Sequence, residues 1–243
     1  MADRILYKIH GSDLQMVEVA LNPGHGVIAE AGAMAFMDGT IEMQTKVIGG
    51  VVGGLKRKVT GESFFMTSFT NEGNELAKVG FAAPYPGKII ALDLEKYGGM
   101  VYCQKGGFLC AARGTEVSLA FTKKIGAGLF GGEGFILQKI ESDGLAFIHA
   151  GGTIIEKVLA PGQELKVDTG CLVAFTQGVQ YDISFVGGVR NALFGKEGLF
   201  LASLRGPGKV FIQSLPVPRL ADALRTSRRL KIDEQTSSRS TRR

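Results

Sequence analysis

Apolar and polar residues alternate in short runs along most of this 243-residue chain, and glycines break the runs. In KVDTGCLVAF (166–175) Val167, Gly170, Leu172 and Ala174 alternate roughly with polar partners. A period of two is the mark of a half-buried strand. The runs FFM (64–66) and FIL (135–137) are apolar at every position, which predicts strands covered on both faces, between sheets or at a subunit contact. No stretch shows a 3.6-residue period until VPRLADALRTSRRL (217–230), where Leu220, Ala223 and Leu224 predict a short amphipathic helix. After Ile232 no apolar residue follows, so 231–243 reads as a disordered basic tail.

The strand pattern repeats. GESFFMTSFTNEG (61–73), GEGFILQKIESDG (132–144) and KEGLFLASLRGPG (196–208) align without gaps. Each has a Glu near its start, at Glu62, Glu133 and Glu197, and a Gly eleven positions later, at Gly73, Gly144 and Gly208. A left-handed backbone is expected at those glycines, where strands must reverse. A second string precedes each copy: PGHGVIAEAGAMAF (23–36), PGKIIALDL (86–94) and PGQELKVDTGCLVAF (161–175). The middle copy carries EKYGGMVYCQ as an insertion before GGFLCAA (106–112). The expectation is one all-β domain over 1–216, made of three tandem units at about 11–73, 74–144 and 145–216, with strands starting near Pro23, Pro86 and Pro161. A short helix over 217–230 and the tail would follow.

Composition narrows the class. Hydrophobic residues make up 45% and mean hydropathy is +0.14, enough for a sizeable core and too much for a disordered chain. The formal net charge of +5 lies wholly in 225–243, where seven bases face two acids. The body is neutral, so the basic isoelectric point describes a tail and not a nucleic-acid-binding face. Cys103, Cys110 and Cys171 form no CxxC and are odd in number, which predicts buried reduced thiols. The opening MADRILYKIHGSDLQ lacks the apolar stretch of a signal peptide, and no apolar run is long enough to span a membrane. A cytoplasmic location is expected.

Chemistry is sparse. His10, His25 and His149 fall in no metal-ligand spacing. His149 is expected to be a satisfied core or interface histidine, and His25 a solvated turn residue. GAGLFGGEG (126–134) imitates a dinucleotide fingerprint, but a strand follows it where the fingerprint needs a helix. No catalytic, metal-binding or cofactor-binding set is predicted. The repeated Glu62, Glu133 and Glu197 are the best candidate carboxylates; a backbone-bonding or ion-pairing role competes with a functional one. Lys56, Arg57 and Lys58, with Arg225, Arg228 and Arg229, are candidate phosphate or lipid contacts.

At GESFF, PGKIIALDL, QKGGFLCAA, GGEGFILQKI, VDTGCLVAF, YDISFVGG and FGKEGLFLASLRGPGKVFIQSLP the sequence resembles bacterial relatives of the mitochondrial "altered inheritance of mitochondria" family. The resemblance covers about residues 5–216. It implies three tandem units, each like a subunit of the tryptophan RNA-binding attenuation protein, a short double-stranded β-helix. It also implies trimers closing into a ring, a scaffold linked to membrane organisation, and no enzymatic activity. The attenuation protein repeats its basic side chains in every unit; here the basic triplet occurs once.

Three functions compete on these grounds. One is a non-enzymatic oligomeric scaffold or ligand-binding protein whose partner is itself, as a homotrimer. Another is a protein that binds RNA or an anionic membrane surface, which would make it membrane-associated. The last is an enzyme whose site lies between repeats.

Overall fold

The computed structural model describes residues 1–48, 64–123, 135–186 and 199–226. Where the connections are described, short turns join successive strands. The first group is β1 (Leu6–His10), β2 (Met16–Leu21), β3 (Gly26–Glu30), β4 (Met34–Met37), β5 (Ile41–Ile48) and β6 (Phe64–Asn71). Next come β7 (Ala77–Ala82), β8 (Lys88–Asp93), β9 (Met100–Gln104), β10 (Phe108–Ala112), β11 (Glu116–Lys123) and β12 (Phe135–Glu141). The last are β13 (Leu145–Ala150), β14 (Ile154–Leu159), β15 (Glu164–Asp168), β16 (Leu172–Thr176), β17 (Gln180–Val186), β18 (Leu199–Arg205) and β19 (Gly208–Gln213). Short 3-10 turns occur at Leu94–Tyr97 and Thr169–Cys171. Residues 217–226 form a helix, α1. Its start is held by Leu220 N–H donating to the Pro216 carbonyl and by an Arg219–Asp168 ion pair at 2.8 Å. The protein is all-β in character, as its period-two patterning predicts.

Four antiparallel sheets result: β1-β2-β7-β4, β5-β6-β3-β10-β13-β8, β11-β12-β9-β16-β19-β14 and β15-β18-β17. The two six-stranded orders are one pattern, because adding six to each strand number of the second sheet gives the third. The same shift turns β11-β12-β9 into β17-β18-β15, and its reverse turns β10-β13-β8 into β4-β7-β2. Local detail follows the shift. A register break falls between Met34 and Phe36 on β4, between Phe108 and Cys110 on β10, and between Leu172 and Ala174 on β16. Such bulges bend a strand and sharpen its twist. The three aligned Glu-Gly strings supply β6, β12 and β18. Their central residues Thr67, Gln138 and Ala202 face Ala29, Cys103 and Val167.

The sheets stack, and three cores lie between them. Val17, Val19, Val79 and Phe81 meet Val27, Cys110 and Phe147 in the first. Leu92, Phe108, Ile148 and Ala146 meet Val101, Ile140 and Phe211 in the second. Phe135, Leu137 and Phe175 meet Val167, Ile183 and Leu204 in the third. The six-stranded sheets are therefore interior layers. This explains why β10, β13 and β16 are buried at nearly every position and why β12 carries Phe135, Ile136 and Leu137 in sequence.

Two expectations need correction. Pro23-Gly24 and Pro161-Gly162 do lie in corresponding turns, β2–β3 and β14–β15, but Pro86-Gly87 precedes β8, the strand that corresponds to β2 and β14. The counterpart of β3 and β15 is β9, inside the stretch read as an insertion, and its turn is the 3-10 segment ending at Gly98. Gly24, Gly98 and Gly162 all have positive φ, near +75°. The alternation of KIIALDL cannot reveal which strand of a unit it is, and the true turn, Tyr97-Gly98, carries no proline to mark it. Nor do the three string-end glycines share a left-handed backbone: φ is positive at Gly208 but not at Gly73 or Gly144. Those two are small for another reason. A Cβ at Gly73 would come within 2.9 Å of the Thr40 side chain, and one at Gly144 within 2.6 Å of Ala2.

Candidate functional site: two unpaired sheet edges

Where β10 meets β3, Cys110 faces Ala29, Ala111 faces Ile28 and Ala112 faces Val27. Where β16 meets β9, Ala174 faces Cys103, Phe175 faces Tyr102 and Thr176 faces Val101. These two seams join successive strand groups in identical register. The corresponding strands of the remaining sheets are β4 and β15. Each ends its sheet, paired on one side only among the described residues. Side-chain exposure follows the pairing. Cys110, Ala111, Ala174 and Phe175 are fully buried, whereas Phe36 and Met37, at the corresponding places on β4, are each 37% exposed. The Phe36 ring packs against Gly80, where a Cβ would overlap it. Unpaired N–H and C=O groups beside exposed apolar side chains form a template for another strand.

Each filled seam is also clasped. The residue after β10, Arg113, donates to the Gly24 carbonyl and pairs with Asp3 at 2.9 Å. The residue after β16, Gln177, donates to the Gly98 carbonyl at 3.1 Å. After β4 the corresponding residue is Gly39, which has no side chain to offer and open space around it.

One titratable cluster lies where β13 meets β8, against the turn that leads into β10. The His149 ring meets Tyr85 edge-on at 4.6 Å, and Tyr85 donates to the Gly106 carbonyl at 3.0 Å. His149 is 3% exposed and its Nδ1 has no hydrogen-bond partner. It is a core histidine, as expected, but not a satisfied one. Burial lowers its pKa to about 4 and raises that of Tyr85 to about 12. Burial also raises the Glu30 carboxyl, which Lys105 opposes, and the Cys103 thiol. A protonated thiol and a neutral imidazole do not make an activated nucleophile, so these groups read as packing. Cys103 and Cys110 are buried free thiols and Cys171 is half-buried. His25 is not merely solvated, because its Nδ1 lies 3.0 Å from the Arg4 carbonyl.

Of the candidate residues from the sequence, Arg225 falls among the described residues. Glu62, Glu133, Glu197, Lys56, Arg57, Lys58, Arg228 and Arg229 lie outside the described residues. Arg225 stands exposed on α1 with Asp222 3.7 Å away. Among the described residues no group of three His, Cys, Asp or Glu side chains could hold a metal, and no helix is long and apolar enough to cross a membrane. The unpaired edges were missed from sequence. Their one signal was Met-Ala-Phe-Met on β4, where the middle copy has Phe-Leu-Cys-Ala-Ala.

The family model described as mitochondrial biogenesis AIM24 matches residues 7–215. The chain belongs to the AIM24 family. An uncharacterized protein of Streptococcus pyogenes serotype M6 is 29% identical over 218 residues, covering 86% of this chain and 85% of its own. A crystal structure of a Streptococcus pyogenes protein is similar with a TM-score of 0.74 and 25% identity, covering 92% of this chain and all of that one. The AIM24 assignment therefore spans every sheet described above.

Proposed function

We propose that this AIM24-family chain is a non-enzymatic scaffold that works by assembling with copies of itself, each chain being three tandem β-units of the attenuation-protein type. One observation carries the reading. Two complete six-stranded sheets share one strand order, and the remaining strands other than β1, which pairs with β2, are the two halves of a third such sheet, left at opposite ends of the stack. A second copy would complete it. The contact joins unlike surfaces, so it generates a ring where the rotation closes; the reading is a ring of three chains. Light scattering coupled to gel filtration from low to high micromolar concentration tests it. A mass three times the chain's 25.9 kDa is expected, and a constant single-chain mass overturns it. The rival reading is contact with RNA or an anionic surface through its named cations, of which Arg225 stands exposed on α1.

A further inference from the structure

We infer that the free edge of β15 receives the free edge of β4 from a second copy, antiparallel, with Lys166 opposite Met37 of that copy. The inference rests on the self-assembling reading and deepens it by fixing the surface and its register. At the two seams within the chain, Ile28 faces Ala111 and Tyr102 faces Phe175. The bulges on β4, β10 and β16 fix how those strands correspond. The partners of Ala29, Cys103 and Val167 on β6, β12 and β18 fix the other side. Carrying both correspondences to the third seam puts Val167 opposite Phe36, Lys166 opposite Met37 and Leu165 opposite Asp38 of the second copy. The bulge travels with β4, so the exposed edge already has the bend that the filled seams use.

A second surface agrees. Ile90 on β8 faces Ile148 and packs against the second core. The corresponding Ile155 on β14 faces Ile212 yet is 49% exposed. The layer that covers Ile90 is the third sheet, through its complete six strands. The layer that would cover Ile155 is the split one, whose missing half is the β4-β7-β2 sheet of the second copy. One docking event therefore pairs the strand edge and closes this gap.

The test is a disulfide across the joint. Met37 and Lys166 are both exposed, so replacing them leaves the cores intact. The chain carries Met37→Cys, Lys166→Cys and Cys171→Ser; Cys103 and Cys110 stay, being buried. It is oxidised at micromolar concentration and run on a denaturing, non-reducing gel. A ladder of linked chains should appear, its largest member matching the native mass from light scattering. The same chain with Glu164→Cys in place of Lys166→Cys puts the thiols two residues out of register, and its yield should fall by about tenfold, since disulfides form only at short Cα separations. A normal native mass with no ladder, or with equal ladders from both chains, overturns the register and leaves self-assembly standing. A single-chain mass for the unsubstituted protein overturns both.

Discussion

Ala111 on β10 and Met37 on β4 hold the same place in the strand pattern, yet Ala111 is sealed between sheets and Met37 is 37% exposed. At the filled seam the chain provides both strands, small side chains between two layers, and an arginine clasp. At the open edge it provides one strand, two large apolar side chains and a glycine where the clasp would be. The backbone instructions are shared and the side-chain environment differs. The pairing of β3 with β10 is part of folding one chain, whereas β4 and β15 are folded and, among the described residues, each has one edge without a strand partner. This separates what a substitution does to stability from what it does to association.

The same charged substitution should therefore act differently at the two places. Ala111→Asp buries an unpaired carboxylate in the second core and should cost on the order of 3–5 kcal/mol, seen as a collapse of the thermal midpoint. Met37→Asp places the charge on the exposed edge, so the midpoint of the isolated chain should move little while the native mass drops toward a single chain. Equal loss of stability from both would end the distinction.

Acid should act on the pairing of β13 with β8 through His149. Its pKa falls from the ordinary 6.5 to about 4 on folding, so the unfolded chain binds the proton more readily. Stability is then full above pH 6.5, declines as pH falls toward 4, and flattens below. The slope contributed is at most about 1.4 kcal/mol per pH unit. Denaturant midpoints across that range for the unsubstituted chain and for His149→Gln check it, and a variant with an unchanged slope would refute the assignment.

The clasps give the smallest effects. Arg113→Ala leaves the Gly24 carbonyl and the Asp3 carboxylate short of a donor and should cost about 1–2 kcal/mol. Gln177→Ala removes one exposed hydrogen bond and should cost about 0.5 kcal/mol. A reversed order in urea melts would show that the charged clasp does not stabilise its seam more than the neutral one.

The Glu-Gly strings were legible because β6, β12 and β18 pair on both sides in every group, so their apolar spacing is constrained throughout. The turn of the middle group was not, because Gly98 replaces a Pro-Gly pair and any apolar alternation can stand for any strand of a unit. The all-β class could be read from periodicity; of the helix expected over 217–230, residues 217–226 are described and are helical. The unpaired state of β4 and β15 could not, since an edge is defined by what is absent beside it. His149 was placed correctly inside, but sequence carries no sign that its Nδ1 lacks an acceptor or donor.

The three thiols sit in distinct surroundings, and this makes the unmodified chain its own reporter. Cys110 belongs to the first core and Cys103 to the second, while Cys171 is half-buried at the end of a 3-10 turn. An alkylating reagent in excess should label Cys171 early. It should reach the other two only through transient opening of the layer that hides each one. Their separate labelling rates, read by peptide mass, would show whether neighbouring layers breathe together or one at a time.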